Sequence, residues 1–427
     1  MKLTALNHQR SKEHTDRYRP NFALNRNSAG LTSANKETTF TLVCNRAKGP
    51  YVHDIDGNEY IDLTMGFGSI LLGHGERFIE EAIEDQLRES WSVGPISPLA
   101  GQLAEKICNA TNNDRAAFFN SGTEAVMVAM RLAKAATSKK YIVFFKGAYH
   151  GTFDSLLSMR TNVDHIAQQT VPGITQNTLD ESYLLDYGTE SSLDFIREHK
   201  DEIAGVLVEP IQSRRPDFVP IDYLKKLREL TENHNIALIF DEIITGFRMD
   251  VGGCQSLFGI QADIVTYGKV IGGGLPIGVV AGKRLYLDYT DGGTWQYADD
   301  SMPQSDKTFV AGTFCHHPLA MRSALTILEY LEANQETLYT KLNVKTYSFV
   351  DRMNKWFEEN GLKIKMVSYG SLFRFVTPGR SKVIYQELLE RGVYIWEGRN
   401  CFLSPAHTEE IVHELEKRIK ESCGGLR

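Results

Sequence analysis

A chain of 427 residues has room for two or three domains and a full hydrophobic core, which excludes a miniprotein held together by disulfides. Hydrophobic residues at 42% and charged residues at 24% are ordinary globular usage and exclude a largely disordered chain. Forty-seven basic against 54 acidic residues give a net charge of -7, so no general attraction to nucleic acid or to an anionic membrane is expected.

The six cysteines (Cys44, Cys108, Cys254, Cys315, Cys401, Cys423) form no CxxC pair and stand at no zinc-finger spacing from a histidine. Free thiols in a reducing compartment are the expectation. The polar start MKLTALNHQRSKEHTDRYRP lacks the apolar stretch of a signal peptide, and no run reaches the roughly 20 apolar residues of a membrane span. A cytoplasmic protein is expected.

Residues 1 to about 47 read as irregular, with Pro20 and Gly30 as breakers, and suggest a segment that wraps a neighbour's surface or forms a mobile arm. In GPYVHDIDGNEYIDL, two short alternating runs flank Asp56-Gly57-Asn58, which predicts a hairpin. Helical spacing follows over Phe78 to Ser90 and Pro98 to Ala110. The middle of the chain predicts strands at Ala116–Phe119, Tyr141–Phe145, Ala204–Val208, Ile236–Phe240, Ile264–Tyr267 and Ile277–Ala281. Helical periodicity lies between them, as in IDYLKKLREL. Short continuous apolar strands alternating with helices imply an α/β domain with a mainly parallel sheet covered on both faces. From Pro318 onward one long helix, a separate charged helix near 338–360, and short strands and helices suggest a smaller α+β domain.

Candidate chemistry gathers at the ends of these strands. Asn120-Ser121-Gly122-Thr123-Glu124 follows a strand and opens an apolar helix, where unspent backbone N–H groups and the helix dipole can bind a phosphate, although a Ser at this place is often only an N-cap. Asp241 closes the strand IALIF, at the carboxyl edge where ligands bind in open α/β sheets. Lys269 follows DIVTYG and precedes IGGGLPIG, beside the sheet edge rather than in bulk solvent. Desolvation there would lower its amine pKa, as a Schiff-base lysine requires. With Tyr149 and His150 in GAYHG, these parts could hold pyridoxal 5'-phosphate, the carboxylate facing the pyridinium nitrogen and the lysine holding the cofactor as an imine.

The ordered motifs NSGTEA, KGAYHG, Glu209-Pro210, DEIITGFR, GKVIGGGLPIG and GTFCHHPLA resemble those of class III, fold type I pyridoxal-phosphate aminotransferases, nearest the glutamate-1-semialdehyde aminomutase-like members. The resemblance implies a large mainly parallel α/β/α domain over residues 96–315 and a smaller α+β domain over 316–427. Residues 1–95 would supply an N-terminal arm and a segment joining the small domain. It implies that Lys269 holds the cofactor and Asp241 pairs with its ring nitrogen. Ser121, Gly122 and Thr123 would take the phosphate, with Thr313 reaching it from the partner of a homodimer. Tyr149 and Ile243 would sandwich the ring, and His150, Glu209 and Gln212 would complete the cofactor site.

The stretches GPISPLAG, WQYADDSMPQSDKTFVAGTFCHHPLA and VYIWEGRNCFLSPAHTEE look more like aminotransferase domains of polyketide and nonribosomal peptide assembly lines. That resemblance implies transfer from an amino acid donor to a ketone or aldehyde acceptor, specifically a β-keto group carried on an acyl or peptidyl carrier protein. A 2,1-aminomutase is the alternative, and a non-catalytic binding protein of this fold is the alternative of another class. The adjacent His316 and His317 are not expected to bind metal. Ser213-Arg214-Arg215-Pro216 could steer an acidic partner or be a solvated loop. Arg374 and Arg399 could clamp a carboxylate or serve structural ion pairs. Phe67, Trp91 and Trp396 could line a substrate pocket or be core.

Overall fold

The computed structural model describes residues 7–424 apart from 30, 34, 37–38, 93, 162–164, 170 and 378–380. Its centre is a seven-stranded sheet of β1 (Arg115–Phe119), β2 (Tyr141–Phe145), β3 (Ser182–Leu185), β4 (Ile203–Val208), β5 (Ala237–Asp241), β6 (Ile264–Gly268) and β7 (Gly278–Gly282). The strands lie in the order β1-β7-β6-β5-β4-β2-β3. Neighbours from β6 through β3 run parallel, while β7 is antiparallel to both β6 and β1. β1 therefore points the same way as β6, and six carboxyl ends share one edge.

The period of two along each strand explains why the sheet is covered on both faces. Leu238 and Phe240 join one hydrophobic cluster, and Ala237 and Ile239 join the other. Phe240 is wholly buried, a burial worth about 2–3 kcal/mol on area bookkeeping. The second cluster includes the inward face of helix α1 (Gly122–Thr137), whose Ala125, Ala129 and Ala133 have no exposure, so the small side chains let the helix lie close over the strands.

Six strands match their predicted positions within a residue, and β3 was missed because SYLL is too short and too uniform to show a period. The hairpin at Asp56–Asn58 forms between Tyr51–Asp54 and Glu59–Asp62. The stretch near its tip corrects the expectation of an irregular N-terminus: Gln9–Tyr18 is a helix. Its first turn is held by the Asp56 carboxylate, which accepts from the N–H groups of Arg10 (2.7 Å) and Ser11 (3.0 Å). The local signal is a single residue, Asn7, whose Oδ1 accepts from Gln9 N–H (3.0 Å), and the other capping contacts come from 45 and 46 residues away. Gly30 lies outside the described residues.

A second correction concerns the two helices expected after Pro318. They are one helix, α2 (Pro318–Glu359). The polar stretch around Asn334 and Gln335 reads as a break, but it contains no Pro or Gly, and nothing else obliges the helix to stop. Beyond α2, the hairpin Lys365–Tyr369/Leu372–Val376 pairs with Cys401–Phe402. Val393–Tyr394 instead joins Ile61–Asp62 of the N-terminal sheet in parallel. Among the described residues, no helix is long and apolar enough to cross a membrane.

Candidate active site

The shared carboxyl edge carries a cavity of about 450 Å³ lined by the start of α1, the loop after β2, and the residues that follow β4, β5 and β6. Topology alone brings these together: segments from residue 120 to residue 277 meet because their strands end on one edge.

Ser121 is the N-cap of α1, its hydroxyl accepting from Glu124 N–H (3.2 Å), while the Glu124 carboxylate reaches back to Asn120 N–H (2.7 Å). The N-cap reading and the anion-site reading of Ser121 thus coexist, since the N–H groups of Gly122 and Thr123 are unspent by the helix itself. At Gly122 a Cβ would lie 2.9 Å from Ile243 Cδ1, so its absence lets Ile243 close over the helix start. Gly151 has φ +90°, and its Cβ would come within 3.1 Å of the Thr123 backbone.

Asp241 ends β5, where its Oδ1 accepts from Ile243 N–H (3.1 Å) and the Thr266 hydroxyl (3.4 Å). Its Oδ2 lies 2.6 Å from His150 Nδ1, and both side chains are buried. His150 Nε2 is buried without a partner. Glu209, just past β4, accepts from Tyr149 N–H (2.9 Å) and Ser213 N–H (3.4 Å), which fixes the aromatic loop against the sheet edge. Burial pushes the Glu209 carboxyl up, Asp241 adds to this, and His150 and the Tyr149 N–H oppose it.

Lys269 follows β6 in the left-handed region at φ +47°, strained for a residue with a Cβ, and begins a short 3₁₀ turn. Its exposure is to the cavity it lines, and enclosure by protein lowers the amine below the ordinary lysine range. Asp241 and Glu209 pull the other way, and the Arg248 cation reinforces the lowering.

Of the expected residues, Ser121, Gly122, Thr123, Tyr149, His150, Glu209, Asp241, Ile243 and Lys269 line this one cavity. Gln212 does not: it is wholly buried behind the loop, its amide donating to Lys146 O (3.0 Å), with Oε1 unpartnered. Thr313 also stands apart, on an exposed stretch. Phe67 and Trp396 pack on each other with ring centres 4.8 Å apart, while Trp91 is exposed, and none of the three lines the cavity. Arg374 makes no ion pair among the described residues and instead donates to Gly398 O (2.9 Å) and Asn400 Oδ1 (3.3 Å). Sequence reasoning missed Ser69, which comes from the N-terminal segment and lines the cavity; its only local signal was the glycine-rich MGFGS. No group of three or more metal-ligating side chains stands together among the described residues.

The model of the aminotransferase class-III family matches residues 32–413. The chain belongs to the class-III aminotransferases. Curated relatives of this class-III chain include glutamate-1-semialdehyde 2,1-aminomutases from Cytophaga hutchinsonii and Aquifex aeolicus. Each is 33% identical over 402 residues, covering 89% of this chain and 90% and 92% of theirs. Among solved structures, an omega-transaminase from Sphaerobacter thermophilus superposes with a TM-score of 0.85 at 26% identity, covering 98% of this chain and 99% of that one. The fold is that of fold type I pyridoxal-phosphate enzymes, and the protein is a pyridoxal-phosphate-dependent enzyme. The donor set fits the cofactor: a helix start for its phosphate, a carboxylate held by three hydrogen-bonding groups for its ring nitrogen, and an enclosed amine for its aldehyde.

Proposed function

We propose that this enzyme moves an amino group onto a carbonyl carbon, with Lys269 as the base and acid of the reaction. The observation that carries the reading is the Lys269 amine, lowered by enclosure, in the cavity shared with the Asp241–His150 pair and the start of α1. When bound, pyridoxal phosphate supplies an electron sink for charge that develops on the substrate carbon. Ser121, Gly122 and Thr123 would hold its phosphate, Tyr149 and Ile243 its two faces, and Asp241, oriented by His150, its ring nitrogen. Lys269 Nζ would take the proton from the substrate carbon bearing the amino group and deliver it to the cofactor's aldehyde carbon, a role that needs an amine neutral closer to working pH than free lysine. Glu209 holds the Tyr149 loop in place.

Two readings of the amino acceptor differ in whether the group leaves the molecule. The curated relatives' names support a 2,1-aminomutase, in which donor and acceptor are one molecule. The likeness to a solved omega-transaminase supports a two-substrate aminotransferase with an amino acid donor and a ketone or aldehyde acceptor. A β-keto thioester on a carrier protein is one acceptor to include in the assay. The test is the absorption spectrum of the purified holoenzyme with L-glutamate or with glutamate 1-semialdehyde. Bleaching by glutamate with release of a free keto acid supports two-substrate transfer, and conversion of the semialdehyde without a separate donor supports the mutase. Full activity in Lys269→Ala would refute the assignment altogether.

A homodimer is part of the proposal. Trp295, Tyr297 (88% exposed), Met302, Phe309 (82%) and Phe314 are all exposed within the twenty residues that contain Thr313, a concentration of large apolar side chains in water that suits an interface. A second copy would cover it and bring Thr313 to the partner's phosphate site.

A further inference from the structure

Arg248 is the largest of the wholly buried side chains, and it forms no ion pair among the described residues. It leaves the turn that follows β5 and its last residue, Asp241. Its Nη2 donates to Gly68 O (2.8 Å) and its Nη1 to Ser371 Oγ (3.0 Å), while the guanidinium lies 4.5 Å from the Phe402 ring centre. Nε has no partner. Burial pulls its pKa down to about 9, Tyr339 alone opposing. Enclosing a cation without a carboxylate is costly, and an apolar side chain of similar size would suit stability better. What the cation holds is therefore informative.

Gly68 ends a run of four left-handed residues: Met65 (φ 44°), Gly66 (59°), Phe67 (57°) and Gly68 (88°). Two of the four carry a Cβ, so the run is strained and persists only if its surroundings fix it. At its start, Asp62 Oδ1 accepts from the N–H groups of Thr64 (2.7 Å) and Met65 (3.1 Å). At its end, Arg248 takes the Gly68 carbonyl, and the Phe402 ring occupies the place of the missing Gly68 Cβ, 2.7 Å from it. The next residue is Ser69, in the cavity wall.

We propose that Arg248 is a positioning residue: its guanidinium clamps the end of the Met65–Gly68 turn and so keeps Ser69 in the wall of the cavity that carries Lys269. One cation thereby joins the sheet edge, the N-terminal segment and the hairpin at Ser371. Its relevance to turnover rests on the reading of that cavity as the substrate site, whereas the clamp itself does not.

Hydrogen exchange on the pyridoxal-phosphate-loaded enzyme tests the clamp directly. The Gly68, Ser69 and Ile70 amides close the turn onto Thr64, Gly66 and Met65 and should exchange slowly in the native protein, although Gly66 and Phe67 are exposed. Arg248→Met should speed exchange at these three amides by about tenfold or more while β5 keeps its protection, and Arg248→Lys, which retains one donor, should fall between. Unprotected amides in the native enzyme overturn the proposal even if Arg248→Met does not fold, as does equal loosening of β5 in that variant. In the donor half-reaction with L-glutamate, Arg248→Met should raise the concentration for half-maximal rate by about tenfold with a smaller change in limiting rate, with partial rescue by Arg248→Lys. The reverse split would overturn it. A native enzyme inert to both glutamate and glutamate 1-semialdehyde would count against the functional reading and leave the exchange test standing.

Discussion

His150 Nδ1 and Asp241 Oδ2 lie 2.6 Å apart in a buried pair that joins the loop after β2 to the end of β5. The contact orients the carboxylate, and together with Ile243 N–H and the Thr266 hydroxyl it leaves the group little freedom to turn. Asp241→Asn preserves the shape but removes the charge, and it should lower kcat by about 100-fold or more. Steady-state kinetics with saturating cofactor check this. His150→Ala should show a smaller loss, since the carboxylate stays.

Lys269 carries a second prediction that does not depend on turnover. Its folded pKa is lowered, so between the folded and the unfolded values the folded state binds fewer protons than the unfolded chain, and stability rises with pH across that window. The amine thus destabilises the cofactor-free protein at neutral pH. Lys269→Met should raise the stability of that form by about 1 kcal/mol, with the gain shrinking as pH rises toward the unfolded lysine value of about 10.4 and absent above it. Denaturant unfolding of both proteins across pH measures it, and equal stability at pH 7 would contradict the lowering.

Glu242 adds the opposite sign. Burial pushes this carboxyl to about 7, against the pull of the N–H groups of Cys254 and Gln255 and the Thr245 hydroxyl. Between the unfolded carboxyl pKa and about 7, the folded state holds a proton that the unfolded chain has lost, so stability falls as pH rises through this window. In Glu242→Gln this part of the pH dependence should vanish, a difference of about 3 kcal/mol in slope between pH 5 and pH 8. The slope is the readout, because the amide also disturbs the donors around it.

Arg374 and Arg214 carry a prediction about substrate charge. The Arg214 guanidinium stands 5.8 Å from the Tyr149 ring centre, at the cavity's aromatic wall, and Arg214 and Arg399 both press on the half-buried Arg374 guanidinium. Neither Arg214 nor Arg374 forms an ion pair among the described residues. Arg374→Ala should raise KM for a carboxylate-bearing substrate by about tenfold and weaken the salt dependence of kcat/KM. An unchanged KM would leave Arg374 a support for the Gly398–Asn400 loop.

The apolar surface around Thr313 predicts concentration-dependent activity. Phe309→Glu should shift sedimentation toward monomer and cut activity in parallel, and mixing it with Lys269→Ala should restore some activity if each site borrows from its partner. An active monomer would count against this.

The cofactor chemistry was legible in the sequence because its residues sit at strand ends. A five-residue apolar run fixes a parallel strand, and the side chain that follows must emerge at the sheet edge, so Asp241, Lys269 and Ser121 could be placed before any coordinates. Short-range patterns of this kind depend on neighbours one to four residues away. The helix at Gln9–Tyr18 is hard to read locally because most of its cap comes from the distant Asp56, and α2 runs on through a polar patch that has the composition of a helix end. The sequence by itself determined the α/β class, the motif order and nine of the residues that line the cavity. Only the tertiary structure decided that Asp241 leans on His150, that Gln212 sits behind the cavity, and that Ser69 and the buried Arg248 belong to its surroundings. Those relations join residues tens to hundreds of positions apart, and they are set by which strands are neighbours and what each side chain finds when packed, which no local pattern encodes.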